Sequence, residues 1–334
     1  MSRFVFIDPA KLPQPSIVEA LDYETIYAAI KADVLARRPD MADVLALETD
    51  PAAIILQALT YRELLVRGHL NDAVKSLFPS TATGSDLDLH GARFGVARKV
   101  LVEGDPNADP ATDDVLETDE DFRRRIALAL EAFSTAGPEG AYIYAALQAH
   151  ADVKDVSIDS PTFTLATLDG TTQGAVDAAG AFALEADHAA GLTDPRPGDV
   201  VVTILSIVGD GVPAAGVLTA VEAALDDEDV RPLTDRVTVR AATITTYTIE
   251  AELTLYYGPD AELVRAAAET AAQAYADENH KLGHDITLSG LYAALHQPGV
   301  QNVNLISPAA DIVCGDVEAA YCTSLTVTEV GRDV

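Results

Sequence analysis

The sequence predicts a multidomain α+β protein, with a region of long helices followed by two repeated small α/β units built on antiparallel or mixed sheets. Three observations lead there. Residues 51–78 carry one long apolar stripe at helical spacing, interrupted by Arg62 and Glu63. Residues 237–257 alternate apolar and polar groups over far more than the usual five or six residues of a strand. A short helix feeding a strand recurs: Tyr144-Ala145-Ala146-Leu147 and Val153 to Pro161 parallel Tyr292-Ala293-Ala294-Leu295 and Val300 to Pro308. The chain has 334 residues, enough for more than one domain.

The elements follow in order. Pro9, Pro13 and Pro15 forbid a helix, so residues 1–15 read as an extended arm. Ile17, Leu21, Tyr27, Ile30 and Val34 give a helix over 16–38, capped by Ser16 or Asp22. Asp50-Pro51 opens the long helix, with Asp50 as N-cap and Pro51 in the first turn. Its stripe is Ile55, Leu59, Val66, Leu70 and Leu77, and its length is roughly 40 Å at 1.5 Å per residue. After the Thr83-Gly84 turn, Ser85 or Asp86 could cap a short helix ending before Gly95. Asp105 to Pro110 is rich in Pro and Asp without periodicity and reads as a linker.

Beyond it, Thr118-Asp119-Glu120-Asp121 starts a helix that puts acids at its positive end and runs to the Ala136-Gly137-Pro138 turn. A helix near 139–150 and a strand near 153–160 come next. Residues 163–194, rich in Ala, Gly, Asp and Thr, read as an inserted surface loop or flap. A strand over Val200–Ile207 and a helix over Ala214–Leu225 lead to the alternating stretch. That stretch is read as two strands bent at Thr245-Thr246, or one strand serving two sheets. Helices over Asp260–Asn279 and Leu288–Leu295 and strands near 300–307 and 323–330 complete the chain. The expected domains are 1–110, 111–240 with the 163–194 insertion, and 241–334.

Charge excludes whole classes of partner. The chain carries 53 acids against 22 bases, a net charge of −31. A nucleic-acid binder needs a basic footprint, and an anionic membrane surface would repel this chain. No segment is apolar enough for membrane insertion, and the N-terminus lacks the apolar core of a secretory signal. The charge is uneven: residues 1–110 hold 16 acids and 11 bases, 111–240 hold 24 and 8, and 241–334 hold 13 and 3. Cys314 and Cys322 are compatible with one bridge or two thiols, and a reduced compartment favours thiols.

Catalytic patterns are weak. His280 and His284 stand four residues apart beside Asp285, as metal ligands on one helix face would. Gly283 lies between them, so a helix end is the better reading. Gly209-Asp210-Gly211 has too few glycines for a dinucleotide site, and Asp226 to Asp229 lack the spacing of a calcium loop. No cofactor and no catalytic set is expected; a metal-dependent enzyme using carboxylates with His280 and His284 is the lesser alternative. The informative polar groups interrupt or flank the long stripe: Tyr61, Arg62, Glu63, Arg67, Asn71 and Asp72. Glu63 and Arg67 are a correctly oriented i, i+4 pair. These six read either as an ordinary exposed face or as groups that fix register in a helix bundle made with other chains.

These same residues carry a resemblance. Glu48, Asp50-Pro51, Leu56, Tyr61-Arg62-Glu63, Arg67 and Asn71-Asp72-Ala73 resemble the signature of J-type baseplate proteins of contractile-tailed phages. Ala82-Thr83-Gly84, Asp86-Leu87-Asp88, Gly95-Val96 and Arg98 continue it. So do Asp119, Phe122-Arg123, Arg125-Ile126, Thr135 to Tyr142, and Arg231-Pro232-Leu233-Thr234-Asp235. The order is collinear over about residues 45–330, with 163–194 as the main departure. The resemblance implies a structural, non-enzymatic virion protein of the tail baseplate, assembled in the host cytoplasm. It implies a wedge of two copies joined to one I-type wedge protein through N-terminal helices. It implies later domains that pair between neighbouring wedges in a six-fold ring around the spike hub, and a W-type protein of lysozyme-like fold that links wedge to sheath. A tailocin, a gene-transfer agent or an extracellular contractile injection system would use the same part.

Overall fold

The computed structural model describes residues 12–13, 15–108, 110–131, 139–227, 230–258 and 260–333. Most of the arm expected over 1–15 and the turn expected at 136–138 lie outside these residues. The chain divides into two compact units, residues 1–130 and 131–334.

In the first unit, helix α1 (Tyr23–Arg37) starts at Asp22, whose carboxylate accepts from Thr25 N and Oγ1. Ser16 is not the cap. After a single 3-10 turn (Pro39–Met41), helix α2 (Pro51–Ser76) runs for 26 residues, with Asp50 Oδ1 accepting from Ala52 N at 2.8 Å. Leu45, Ala53 and Leu56 form a core with Tyr27, Ile30, Val34, Leu35 and Met41 from the α1 side. Helix α3 (Gly84–Arg93) is capped by neither Ser85 nor Asp86. Its first amide, Gly84 N, instead donates to Asp119 Oδ2 of helix α4 (Asp119–Leu128). Gly91 is required where α3 meets α4, because a Cβ there would fall 2.5 Å from the Phe122 ring and 2.6 Å from Val96 O.

Two further expectations fail in this unit. The segment read as a linker closes a small antiparallel hairpin, β1 (Val100–Val102) with β2 (Val115–Leu116). Its loop is pinned by Gly104 N to Asp114 Oδ1 and Asp105 N to Thr112 Oγ1, both at 2.8 Å. Side chains of Asp and Thr stand in for backbone partners there, so Pro- and Asp-rich composition was no sign of looseness. Helix α4 ends at Leu128, before the expected turn.

The second unit holds two mixed three-stranded sheets. The first has the order β3 (Val153–Asp159), β6 (Asp199–Ser206), β7 (Arg236–Ala241); β6 is antiparallel to β3 and parallel to β7. Helix α5 (Glu139–Ala149) feeds β3 and packs on it and on helix α7 (Ala215–Leu225), which connects β6 to β7. Every residue of β6 is buried, as a central strand dictates. Between β3 and β6, the expected loop is a small flap: β4 (Thr162–Leu165), helix α6 (Gly170–Ala178) and β5 (Leu184–His188), with β4 and β5 antiparallel.

The second sheet has the order β10 (Glu318–Asp333), β8 (Thr243–Tyr256), β9 (Val300–Ser307). Its central strand is again antiparallel to a helix-fed strand, β9, and parallel to the third, β10. Helix α9 (Leu288–Leu295) feeds β9 as α5 feeds β3, so the sequence repeat has a structural counterpart. Tyr247, Ile249, Ala251, Leu253 and Leu255 of β8 face the core. There Val264, Ala268, Ala272 and Ala276 of helix α8 (Ala261–Asn279) recur every fourth residue. Small side chains at that spacing let the helix lie close to the sheet. The alternating stretch does form two strands in two sheets. The break falls at Ala242, not Thr245-Thr246. Ala242 N still bonds Ile204 O while Thr243 N bonds Val317 O, so one residue carries the chain from sheet to sheet.

The joint between these sheets is packed with Leu205, Ala242, Leu282 and Ala319. Buried Asp155 accepts from Val156 N and from Leu282 N, each at 3.0 Å. His280 caps the end of α8, and its Nδ1 lies 2.7 Å from Ala320 O. A Cβ at Gly211, where φ is +102°, would fall 2.8 Å from His280 Nε2. His280 is thus a joint residue, and among the described residues no His, Cys, Asp or Glu group is arranged to hold a metal. Cys314 and Cys322 are free thiols. No described helix is long and apolar enough to cross a membrane.

Candidate assembly surface

Helix α2 has two faces, and among the described residues only one of them is packed. Ala53, Leu56, Thr60 and Asn71 are its buried residues. Ile55, Leu59, Val66, Leu70 and Leu77, the stripe read from the sequence, are each between 53% and 67% exposed. At 100° per residue these five fall within a sector of about 60°, centred roughly 110° round the helix from the buried Ala53, Leu56, Thr60 and Asn71. The apolar pattern is therefore real, but it is not the pattern that builds the unit's own core. That core uses the inner residues, with Thr60 Oγ1 satisfied by Leu56 O at 2.8 Å.

A contiguous apolar stripe on a 26-residue helix is a feature that needs a partner. Scattered exposed leucines would need none. Additional apolar groups of this unit are exposed as well, among them Leu47, Ile54, Leu65 and Phe78.

The six polar positions separate into two sets. Asn71, Arg67 and Glu63 are used inside the chain. Asn71 is buried and clamps the backbone of Glu19, donating from Nδ2 to Glu19 O (2.9 Å) and accepting at Oδ1 from Glu19 N (3.2 Å). Arg67 bonds Glu63 at 2.6 Å and Glu19 at 2.8 Å, and these two carboxylates raise the guanidinium pKa. Together they tie the segment before α1 to the C-terminal half of α2 and fix which face of α2 is left bare. Tyr61, Arg62 and Asp72 are exposed; Arg62 lies about 20° from the stripe's edge, and Tyr61 and Asp72 about 100–120° from it.

Sequence reasoning missed the knot that holds the far end of α2. Arg123 donates to Pro79 O (2.6 Å) and Ala82 O (2.9 Å), just beyond the helix. The Phe122 ring lies between two guanidinium groups, 4.7 Å from that of Arg98 and 5.6 Å from that of Arg125. Arg125 makes a buried, two-pronged pair with Glu117 at 2.7 and 2.6 Å. The available signal was three arginines just after an acidic helix start. Two of them, Arg123 and Arg125, are buried here because they serve backbone carbonyls and a carboxylate.

Three family models match stretches of the chain. The baseplate J-like N-terminal domain matches residues 48–105, the baseplate J-like central domain 134–241, and the baseplate J-like protein C-terminal domain 247–328. The last two meet around Ala242, the link between the sheets. Baseplate protein J of Escherichia phage P2 is 38% identical over 332 residues, spanning 98% of this chain and 99% of that protein. The chain belongs to the baseplate J-like family.

Proposed function

We propose that this baseplate component builds a heteromeric wedge through α2, with two copies and one I-type protein sharing a helix bundle. In this reading the chain works as three modules, the first running through α4 to residue 130 and the other two meeting at Ala242. The later modules join neighbouring wedges into a six-fold ring around the hub, and a W-type protein connects the wedge to the sheath. The observation that carries the proposal is the exposed apolar α2 stripe beside a separately packed face.

Spacing refines the bundle. Ile55, Val66 and Leu77 stand eleven residues apart, as do Leu59 and Leu70. An eleven-residue repeat has about 3.67 residues per turn, so partner helices would run nearly straight with a slight right-handed twist. Arg62 and Glu63 border that seam on its two sides and would set register there, Tyr61 and Asp72 lie about 100–120° from its edge on the outer surface, and Arg67 and Asn71 hold α2 against the segment before α1.

The test is native mass spectrometry of the full chain co-expressed with its I-type partner. A complex of two copies with one partner is expected, and the chain alone should form no stable hexameric ring. A stable ring of the pure chain would contradict the reading.

A further inference from the structure

Topology gathers two unusual segments at one end of the β3–β6–β7 sheet. The flap leaves the end of β3 and returns at the start of β6, and the connection from α7 enters β7 in register there, Asp199 opposite Arg236. Both segments are fixed at their bases. His188 Nε2 sits 2.7 Å from Asp159 Oδ2, and Arg240 Nη1 donates to Ala190 O at 3.1 Å. On the other side, Tyr142 OH donates to Asp235 Oδ2 (2.8 Å), and Arg231 reaches Asp235 O (2.8 Å) and Asp226 Oδ1 (3.0 Å).

These fixed segments display large apolar side chains. Leu233, at the apex of the 231–235 turn, is 101% exposed. On the flap, Leu165 is 72% and Phe182 71% exposed, and Leu165 stands opposite Leu184, itself exposed, in the β4–β5 register. A free two-stranded flap under one short helix has little reason to carry such groups unless something covers them.

The surrounding charge selects the cover. Residues 159–195 contain six acids and no Lys or Arg, and residues 226–235 contain five acids and one Arg. Arg196 and Arg236 stand at the edges of these segments, each paired with an aspartate, and the balance stays acidic; apolar groups on acidic segments fit a surface with apolar sockets rimmed by Lys and Arg. A second copy of this chain, at −31, is the wrong occupant because it would bring carboxylates to carboxylates.

We propose that this sheet end is a docking face for a different protein of the tail, one presenting a basic surface, with Leu233, Phe182 and Leu165 as anchors. The proposal is independent of the α2 seam. It assigns the flap a task and places a second interface on the middle module.

Photo-crosslinking in assembled tails tests it. The full chain is made with p-benzoylphenylalanine at Leu233, at Phe182 or, separately, at Val66 on α2. Because Leu233 and Phe182 are exposed, the probe is tolerated at both. The expected result is an adduct from Leu233 and from Phe182 with the same second protein, mapped by mass spectrometry to a Lys/Arg-rich surface. Adduct yield should drop at least about tenfold with Asp177→Lys/Glu185→Lys, which reverses exposed flap charge without touching the core. Adducts with another copy of this chain, adducts with lipid, adducts insensitive to the charge reversal, or none at either position would overturn it. The Val66 adduct reports on the α2 seam alone, so the two readings fail separately.

Discussion

Replacing Val66 and Leu70 by Ala separates a surface kept for a partner from a surface that holds the chain together. Both side chains are already more than half exposed, at 66% and 59%. Truncating them leaves no cavity, and Ala is the better helix former than Val by up to about 0.6 kcal/mol. The isolated chain should therefore unfold in urea at the same midpoint or slightly later. Assembly should respond differently. Val→Ala removes two carbons and Leu→Ala three, each worth ~0.8 kcal/mol when moved fully from water. Scaled by the exposed fraction, the pair represents about 2.5 kcal/mol of burial still to be gained, roughly a 60-fold loss of affinity for the wedge partner. Urea denaturation of the pure variant and titration against the purified I-type protein read the two effects. A midpoint loss equivalent to more than ~2 kcal/mol would show that the stripe is buried within the chain. Unchanged affinity would show that the stripe is not a seam.

Four other outcomes follow from the same geometry. Asn71→Ala unpairs both backbone groups of Glu19 and should cost ~1–3 kcal/mol in urea unfolding, with the α1 segment first to lose amide protection in hydrogen exchange. Arg125→Met leaves the Glu117 carboxylate buried without its partner and should cost ~3–5 kcal/mol, whereas Arg125→Met with Glu117→Leu should recover most of it; equal losses in both variants would contradict this. Burial at the joint depresses the His280 pKa below 6.5, its Ala320 hydrogen bond opposing only in part, so the folded chain keeps the imidazole neutral where the unfolded chain takes a proton. Stability should then fall as pH drops through that value, by at most ~1.4 kcal/mol per pH unit from this group, and the difference should vanish in His280→Gln. Finally, ring closure among copies of charge −31 should require salt, divalent cations or apolar contact, so electron microscopy at low ionic strength should show open wedges, and salt-indifferent rings would count against this.

Where one rule governed a segment, its structure was legible in the sequence. Asp50-Pro51 announced the start of α2, and α9 falls on its expected residues, Leu288–Leu295. The alternation from Val237 onward showed a stretch too long for one ordinary strand but left two bent strands and one shared strand open; the break sits at Ala242, packed with Leu205, Leu282 and Ala319. What escaped notice depends on partners distant in sequence. The hairpin of β1 and β2 is too short to show a period, and side chains in its own loop hold it. Strand β10 begins at Glu318, earlier than expected, because Ala319 and Ala320 are buried by the joint and the second core, not by any pattern of their own. The burial of Arg123 and Arg125 depends on carbonyls of residues 79, 82 and 97. For the candidate surface, the sequence located the α2 stripe correctly but could not say which way it faces. Spacing alone makes a core stripe and a seam look identical. The pairing of Asn71 and Arg67 with Glu19, and the packing of Leu56 against the α1 side, show that among the described residues the stripe is the exposed face.

A cryo-electron map of the assembled tail end measures that face directly. Ile55, Leu59, Val66, Leu70 and Leu77 should lie against helices of other chains, with Arg62 at the border of the contact. A map in which the outer side of α2 meets only solvent would contradict it.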